Sequence, residues 1–161
     1  MARQLWLLRH GEAEPHGSRP DSDRLLTERG EEQSRAAGRA LAALAVTFSA
    51  VYTSPKVRGR DTARLACEAL GATPVDHAPL SSGFGRSDAL ELVEAAGPDE
   101  RILVVGHEPD FSQTALDLTG GRIDVKKGGV VGIRIEQGGG ELVVVLRPRE
   151  LAAIAGSGAG V

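Results

Sequence analysis

One cysteine, Cys67, is all the chain has, so no internal disulfide can staple the fold; its place in a helical stretch marks it as a small core residue rather than a reactive thiol. Aromatic residues are scarce, at 3%, and the formal net charge is -3. Together these exclude a broad nucleic-acid surface, which needs a basic face or stacking platforms. No apolar run approaches the roughly 18 residues of a membrane span, and the N-terminus lacks a signal-peptide h-region, so a cytoplasmic protein with no membrane partner is expected. Histidine is limited to four positions, and His, Cys, Asp and Glu do not cluster at ligand spacing, so no metal and no other cofactor is expected. There is no internal repeat of useful period. What remains, 161 residues at 41% hydrophobic and 25% charged, has the length and balance of one globular domain with a real core. That domain is expected over residues 1–150, with 151–161, ending in Ala-Gly-Ser-Gly-Ala-Gly at 155–160 and a final valine, as a flexible tail.

Apolar runs at 4–8, 50–53, 102–106 and 74–77 read as strands. Between them, helical spacing appears at 27–45, where Ala37, Ala40, Leu41 and Leu44 share a face, and at about 55–70, 87–96 and 109–119, the last with Phe111, Ala115 and Leu118 at i, i+4, i+7. Alternation of strand and helix implies βαβ units and a mainly parallel sheet covered on both faces. The end of the chain departs from this. Val130 to Ile135, a Gly138-Gly139-Gly140 turn, and Glu141 to Leu146 read as a β-hairpin, which makes the sheet mixed. The expected fold class is therefore α/β, a three-layer α/β/α sandwich with a mostly parallel mixed sheet and a C-terminal hairpin.

Three strand ends carry polar chemistry. Leu5-Trp6-Leu7-Leu8 runs into Arg9-His10-Gly11; Ala50-Val51-Tyr52-Thr53 runs into Ser54-Pro55 and then Arg58; Ile102-Leu103-Val104-Val105 runs into Gly106-His107 and then Pro109. Open α/β sheets place their ligands at such ends. Ser54 as N-cap and Pro55 at the first helical position would set Arg58 one turn inside a helix whose free amides also favour an anion. Imidazole is a nucleophile and proton carrier near neutral pH, and guanidinium is a fork of donors matched to phosphate or carboxylate. Two histidines and two arginines gathered this way point to chemistry on an anion.

This combination resembles the histidine phosphatase superfamily, also called the phosphoglycerate-mutase-like fold, over Leu5 to about Arg147. The family's Arg-His-Gly is Arg9-His10-Gly11; its Ser-Pro-x-x-Arg-x-x-x-Thr is Ser54-Pro55, Arg58 and Thr62; its late Gly-His is Gly106-His107; and its Leu-Thr-x-x-Gly lies in Arg24-Leu25-Leu26-Thr27-Glu28-Arg29-Gly30. In length, lack of inserted domains and the short C-terminal hairpin the chain is most similar to the small bacterial phosphohistidine phosphatases. The resemblance implies a metal-independent phosphatase in which His10 attacks phosphorus and a phosphohistidine intermediate is hydrolysed. Arg9 and Arg58 would clamp the phosphoryl oxygens, and His107 would donate to them or to the developing charge. The cations should keep His10 neutral and able to attack.

Many relatives carry a glutamate proton donor after the third strand, but residues 77–83 here read His-Ala-Pro-Leu-Ser-Ser-Gly. Glu12 is the candidate donor nearest the pocket in sequence, followed by Asp88 and Glu91; for Glu12 an arginine partner role weighs at least equally. A phosphoramidate can take its own proton during P–N cleavage, so this gap favours phosphohistidine as substrate. Little chain is left for a lid in the roughly 30 residues between the Arg58 helix and the 102–106 strand, which suits a phosphate displayed on a protein. The expected partner is a phosphorylated protein, for instance a histidine-containing phosphotransfer domain. The alternatives are a phosphomonoesterase for a small phosphorylated metabolite and a non-catalytic module that binds phosphorylated ligands. His16 and His77 are expected as loop residues, Lys126-Lys127 as a solvated loop that could attract an acidic partner, and Ser54 and Thr62 as cap and helix support.

Overall fold

A computed structural model describes residues 2–137 and 139–159. In chain order it places β1 (Arg3–Arg9), α1 (Glu28–Ala43), β2 (Ala50–Thr53), α2 (Val57–Leu70), β3 (Pro74–Asp76), α3 (Arg86–Ala95), β4 (Arg101–Gly106), α4 (Asp110–Thr119), β5 (Val130–Glu136), β6 (Gly139–Leu146) and α5 (Pro148–Ala159). One six-stranded sheet runs in the order β3-β2-β4-β1-β5-β6. The pairs β3/β2, β2/β4 and β4/β1 are parallel, while β1/β5 and the hairpin β5/β6 are antiparallel. The mixed α/β sheet with a C-terminal hairpin is as the strand and turn pattern implies; Gly138, within the expected turn, lies outside the described residues.

Burial on both faces explains why β1 reads as an unbroken apolar run rather than an alternation. Leu5 and Leu7 pack on one side with Leu92 of α3 and Phe111, Ala115 and Leu118 of α4. Trp6 and Leu8 pack on the other with Ala37 and Leu41 of α1, Ala63 and Ala66 of α2, and Leu151 of α5. Helices therefore cover both faces of the sheet. α1 and α2 touch backbone to backbone: a Cβ on Gly38 would stand 2.2 Å from the Ala66 carbonyl oxygen, so only glycine fits there. Leu44, expected on the buried face of α1, caps the helix instead and is half exposed. Cys67 is buried on α2, and that burial pushes its thiol up to about 11, as suits a core residue.

The flexible tail is corrected as far as Ala159. Residues 151–159 belong to α5, which starts at Pro148, is supported by Glu150 accepting from the Arg147 amide, and drives Leu151 fully into the core. The small Gly and Ala residues that suggested disorder lie on a helix held by tertiary contact with α1. Residues 160–161 of that expected tail lie outside the described residues.

Candidate active site

The carboxyl ends of β1, β4 and β2 are tied side by side. The His10 amide donates to the Gly106 carbonyl at 3.0 Å, and the Ser54 amide donates to the Val105 carbonyl at 2.9 Å. The connections that leave β1 and β4 run to opposite sides, from β1 through α1 to β2 and from β4 through α4 to β5, and such a switch opens a crevice at the ends of these two strands. On the far side, the Gly128 amide donates to the Arg9 and His10 carbonyls, clamping the loop after α4 onto the same place. The resulting cavity, about 200 Å³, is lined by Arg9, His10, Arg58 and His107, joined by Glu14, His16, Arg24, Glu108 and Lys127 among others. All four expected phosphate-binding residues thus meet in one place. No residue between Arg58 and His107 in the sequence lines it, so the segment holding β3 and α3 contributes no cover.

The two imidazoles are buried, with ring centroids 5.1 Å apart. His10 Nδ1 donates to the Gly11 carbonyl oxygen at 2.7 Å, which assigns the ring proton to Nδ1 and leaves the lone pair on Nε2. His107 Nε2 lies 2.7 Å from Ser54 Oγ, whose oxygen accepts from the Lys56 amide. With the hydroxyl donating to Nε2, the His107 proton sits on Nδ1, a buried nitrogen with no partner. Among the described residues three buried side-chain nitrogens lack a partner: Arg9 Nε, Arg58 Nε and His107 Nδ1. All three belong to residues that line this cavity. Leaving such donors unpaired costs about 1–3 kcal/mol each, a deficit that a bound acceptor would offset.

Each guanidinium is braced by a residue that does not line the cavity. Arg9 donates from Nη1 to the Val125 carbonyl at 2.9 Å, and Arg58 donates to the Asp21 carbonyl and carboxylate at 2.6 and 3.2 Å. Asp21 also takes bonds from Arg24 and an ion pair from Lys56. Partial burial alone would raise the Asp21 carboxyl, but hydrogen bonds from Arg24, Lys56 and Arg58 outweigh it and hold the group well below the usual range. Asp21 therefore stays charged and fixes two arginines at once. Glu108 accepts from the Ser112 amide and hydroxyl; Ser112 Oγ accepts from the Val125 amide, completing a brace behind Arg9.

Other motif residues find structural reasons. Thr62 Oγ1 accepts from the Gly11 amide at 3.1 Å and donates to the Arg58 carbonyl at 2.7 Å, linking α2 to the loop that carries His10. Thr27 caps α1 by accepting from the Gly30 amide. A Cβ on Gly30 would stand 2.0 Å from the Glu12 carbonyl oxygen, so the motif glycine is where α1 and this loop touch. Ser54 does not cap α2; the helix begins at Val57 with Lys56 as N-cap, and Ser54 is released to hold His107.

Glu12 does not line the cavity. Its carboxylate accepts from Thr27 Oγ1 at 2.7 Å, directed to the start of α1. Asp88 accepts from the Gly85 amide at the start of α3, and neither it nor Glu91 reaches the cavity. The carboxylates that do line it are both engaged. Glu14 accepts from Leu25 N and Arg19 Nε, which lower its pKa, and Glu108 is held by Ser112. His16 lines the cavity while its side chain remains largely exposed, and His77 stays away, ring to ring with Tyr52. Arg24, Asp21, Lys127 and Ser54 were not assigned to the site by sequence. Ser54, in the motif that holds Arg58, and Arg24, in the segment that ends at Gly30, carried a signal that could have found them; Asp21 and Lys127 carried none.

Burial, more than the neighbouring cations, lowers the His10 pKa to about 3; the Gly11 bond opposes this, and Arg58, Arg9 and Arg24 add to it. Burial first and then His10, Arg58 and Lys56 lower His107 to about 3. Between that value and the 6.5 of a free imidazole, the unfolded chain binds protons that the folded protein refuses, so stability falls as pH drops through the window. Urea midpoints are therefore expected to decrease from pH 7 to pH 4, and to decrease less in His10→Gln. An unchanged slope in that variant would contradict a buried neutral His10.

Among the described residues no group of three His, Cys, Asp or Glu side chains is placed to share a metal ion, and no helix is long and apolar enough to cross a membrane. The family model of the histidine phosphatase superfamily (branch 1) matches residues 5–81. An uncharacterized protein of Picosynechococcus sp. (strain ATCC 27264 / PCC 7002 / PR-6) is 36% identical over 140 residues, covering 81% of this chain and 84% of that protein. The protein histidine phosphatase SixA, solved with tungstate, superposes with a TM-score of 0.83 at 21% identity, covering 92% of this chain and 99% of the other. Phosphoglycerate mutase from Bacillus anthracis str. Sterne superposes at 0.78 with 16% identity, covering 95% and 96%.

Proposed function

The chain belongs to the histidine phosphatase superfamily, and from that premise we propose that it is a metal-independent phosphatase acting through a phosphohistidine at His10, with phosphohistidine in a protein as its substrate. One observation carries the reading: two neutral imidazoles 5.1 Å apart share a small cavity with two braced arginines, and the unpartnered buried nitrogens belong to three of those four residues. His10 Nε2 attacks phosphorus as the P–N bond of the substrate breaks, and the leaving nitrogen takes a proton from solvent. Arg9, Arg58 and His107 Nδ1 hold the equatorial oxygens as charge develops there. Water then cleaves the His10–phosphorus bond and frees the imidazole for another turn.

The substrate class follows from what surrounds the cavity. Its two carboxylates are both engaged, so an alkoxide leaving group lacks a placed proton donor, whereas a phosphoramidate needs one less. The likeness to the protein histidine phosphatase SixA supports the same class, and tungstate there is an oxyanion of the kind this cavity would hold. The mutase likeness favours the second reading, a small phosphorylated metabolite. Rates on a phosphohistidine protein against sugar and nucleotide phosphates, with chelator present, separate the two.

Arg58 offers a test of the clamp itself. Arg58→Lys keeps the charge but loses both the fork and the dual bond to Asp21, so kcat/KM should fall by about 100-fold or more. Tungstate should inhibit the wild type competitively and the variant much less. Unchanged inhibition in Arg58→Lys would remove Arg58 from the phosphate site.

A further inference from the structure

A second concavity, about 860 Å³, lies between α1 and α5 and shares no lining residue with the cavity that holds the reacting groups. Its rim is cationic: Arg29, Arg35 and Arg39 on α1, Lys126 on the loop before β5, and Arg147 and Arg149 at the start of α5. Glu32 is the one carboxylate in its lining. That imbalance stands on a chain whose net charge is -3, so positive charge has been concentrated on this face. Two of the placements also work against the isolated fold. Arg35 and Arg39 are like charges at i, i+4, and Arg147 and Arg149 sit at the positive end of a helix. Glu150, Glu31, Glu68 and Asp124 offset some of these cations, yet Arg29 and Arg39, both exposed, have no ion pair among the described residues.

The groove adjoins the catalytic mouth. Lys126 lines the groove, and its neighbour Lys127 lines the catalytic cavity. Gln33, in the groove wall, accepts from the Glu12 amide at 2.9 Å, two residues after His10. A chain that presents a phosphate to His10 therefore passes within reach of the groove. Ala36, Ala152 and Ala155 line it between the basic rims, and small side chains there let another helix approach two packed helices closely. No aromatic side chain lines it, so it offers no platform for stacked bases.

We infer that this groove docks an acidic helix of the phosphorylated protein, holding the substrate while His10 works on its phosphohistidine. The inference rests on the proposed phosphohistidine activity for its substrate, but the groove can be tested apart from it. Charge complementarity at the rim would act mostly on encounter and KM, leaving the chemical step unchanged.

The experiment uses the full chain and three synthetic peptides: a short phosphohistidine peptide, the same peptide with a Glu-rich amphipathic helix appended, and the same with Lys in place of Glu. For the wild type at low salt, KM for the Glu-tailed peptide should be at least about tenfold below that of the short one, with no gain from the Lys tail. Arg29→Glu/Arg39→Glu should lose this advantage while keeping kcat and the KM for the short peptide; the Arg29→Gln/Arg39→Gln pair should lose part of it. Equal KM values for short and Glu-tailed peptides in the wild type, or an advantage retained in the Glu variant, would overturn the docking role. If no phosphohistidine peptide is turned over but p-nitrophenyl phosphate is, the activity reading fails. The groove is then judged by fluorescence anisotropy of the unphosphorylated Glu-rich helix, which should bind the wild type and not the double Glu variant. Failure of that helix to bind, or tighter binding of a DNA oligonucleotide lost in the same variant, overturns the proposal.

Discussion

His10→Ala should abolish turnover, with a loss of at least about 10⁴-fold, while the protein keeps its fold. The imidazole makes one hydrogen bond, to the adjacent Gly11 carbonyl, and its removal widens a cavity that is already open, so little packing is lost. Far-UV circular dichroism and the urea midpoint at pH 7 should stay near wild type. Acid-quench trapping with labelled phosphohistidine substrate should capture label on His10 in the wild type and none in the variant. The assignment is specific because Nδ1 is engaged by Gly11, so the phosphoryl group should be found on Nε2. Label on a serine, on Cys67 or on His107 would refute the mechanism. Residual turnover above a hundredth of wild type in His10→Ala would do so as well.

The strand ends were legible because each is a short contiguous signal, an apolar run followed by a polar motif, and parallel pairing then brings the ends together in space. Arg9, His10, Arg58 and His107 share one cavity for that reason. What surrounds them was not legible, since it arises from contacts distant in sequence. Asp21 reaches Arg58 across 37 positions, and Ser54 reaches His107 across 53. No periodicity or spacing rule encodes such partners. The same reason separates the two acidic candidates. Glu12 lies close to His10 in sequence, but the close contact of its loop with Gly30 directs its side chain to Thr27. Glu14, two residues on, lines the cavity instead. α5 was missed by local composition: Gly and Ala in place of a periodic apolar stripe suggested a frayed end, whereas Leu151 and packing against α1 supply the stability that propensity lacks. The basic groove has the same origin, since its rim is assembled from α1, a loop and α5, and only adjacent Lys126 and Lys127 hinted at it.

Substrate preference carries the other large effect. A general acid contributes about 10²–10⁴-fold to ester cleavage, and it does so by protonating a poor leaving group. Here the cavity carboxylates are held by Leu25, Arg19 and Ser112, and Glu12 is held by Thr27. Phosphohistidine and activated aryl phosphates should therefore be hydrolysed at least about 100-fold faster than alkyl esters such as sugar phosphates. Glu12→Gln should cost little on any of these substrates, because the amide oxygen can still accept from Thr27. His107→Gln should cost far more, because it removes the proposed phosphate donor and the partner of Ser54. The ordering should persist with chelator present, since the proposed mechanism uses no metal. One kinetic series over three substrate classes and these two variants measures all of it. If a plain sugar phosphate is hydrolysed as fast as phosphohistidine and Glu12→Gln or Asp88→Asn abolishes that reaction, a proton donor reaches the leaving oxygen after all. The small-metabolite phosphatase is then the better reading.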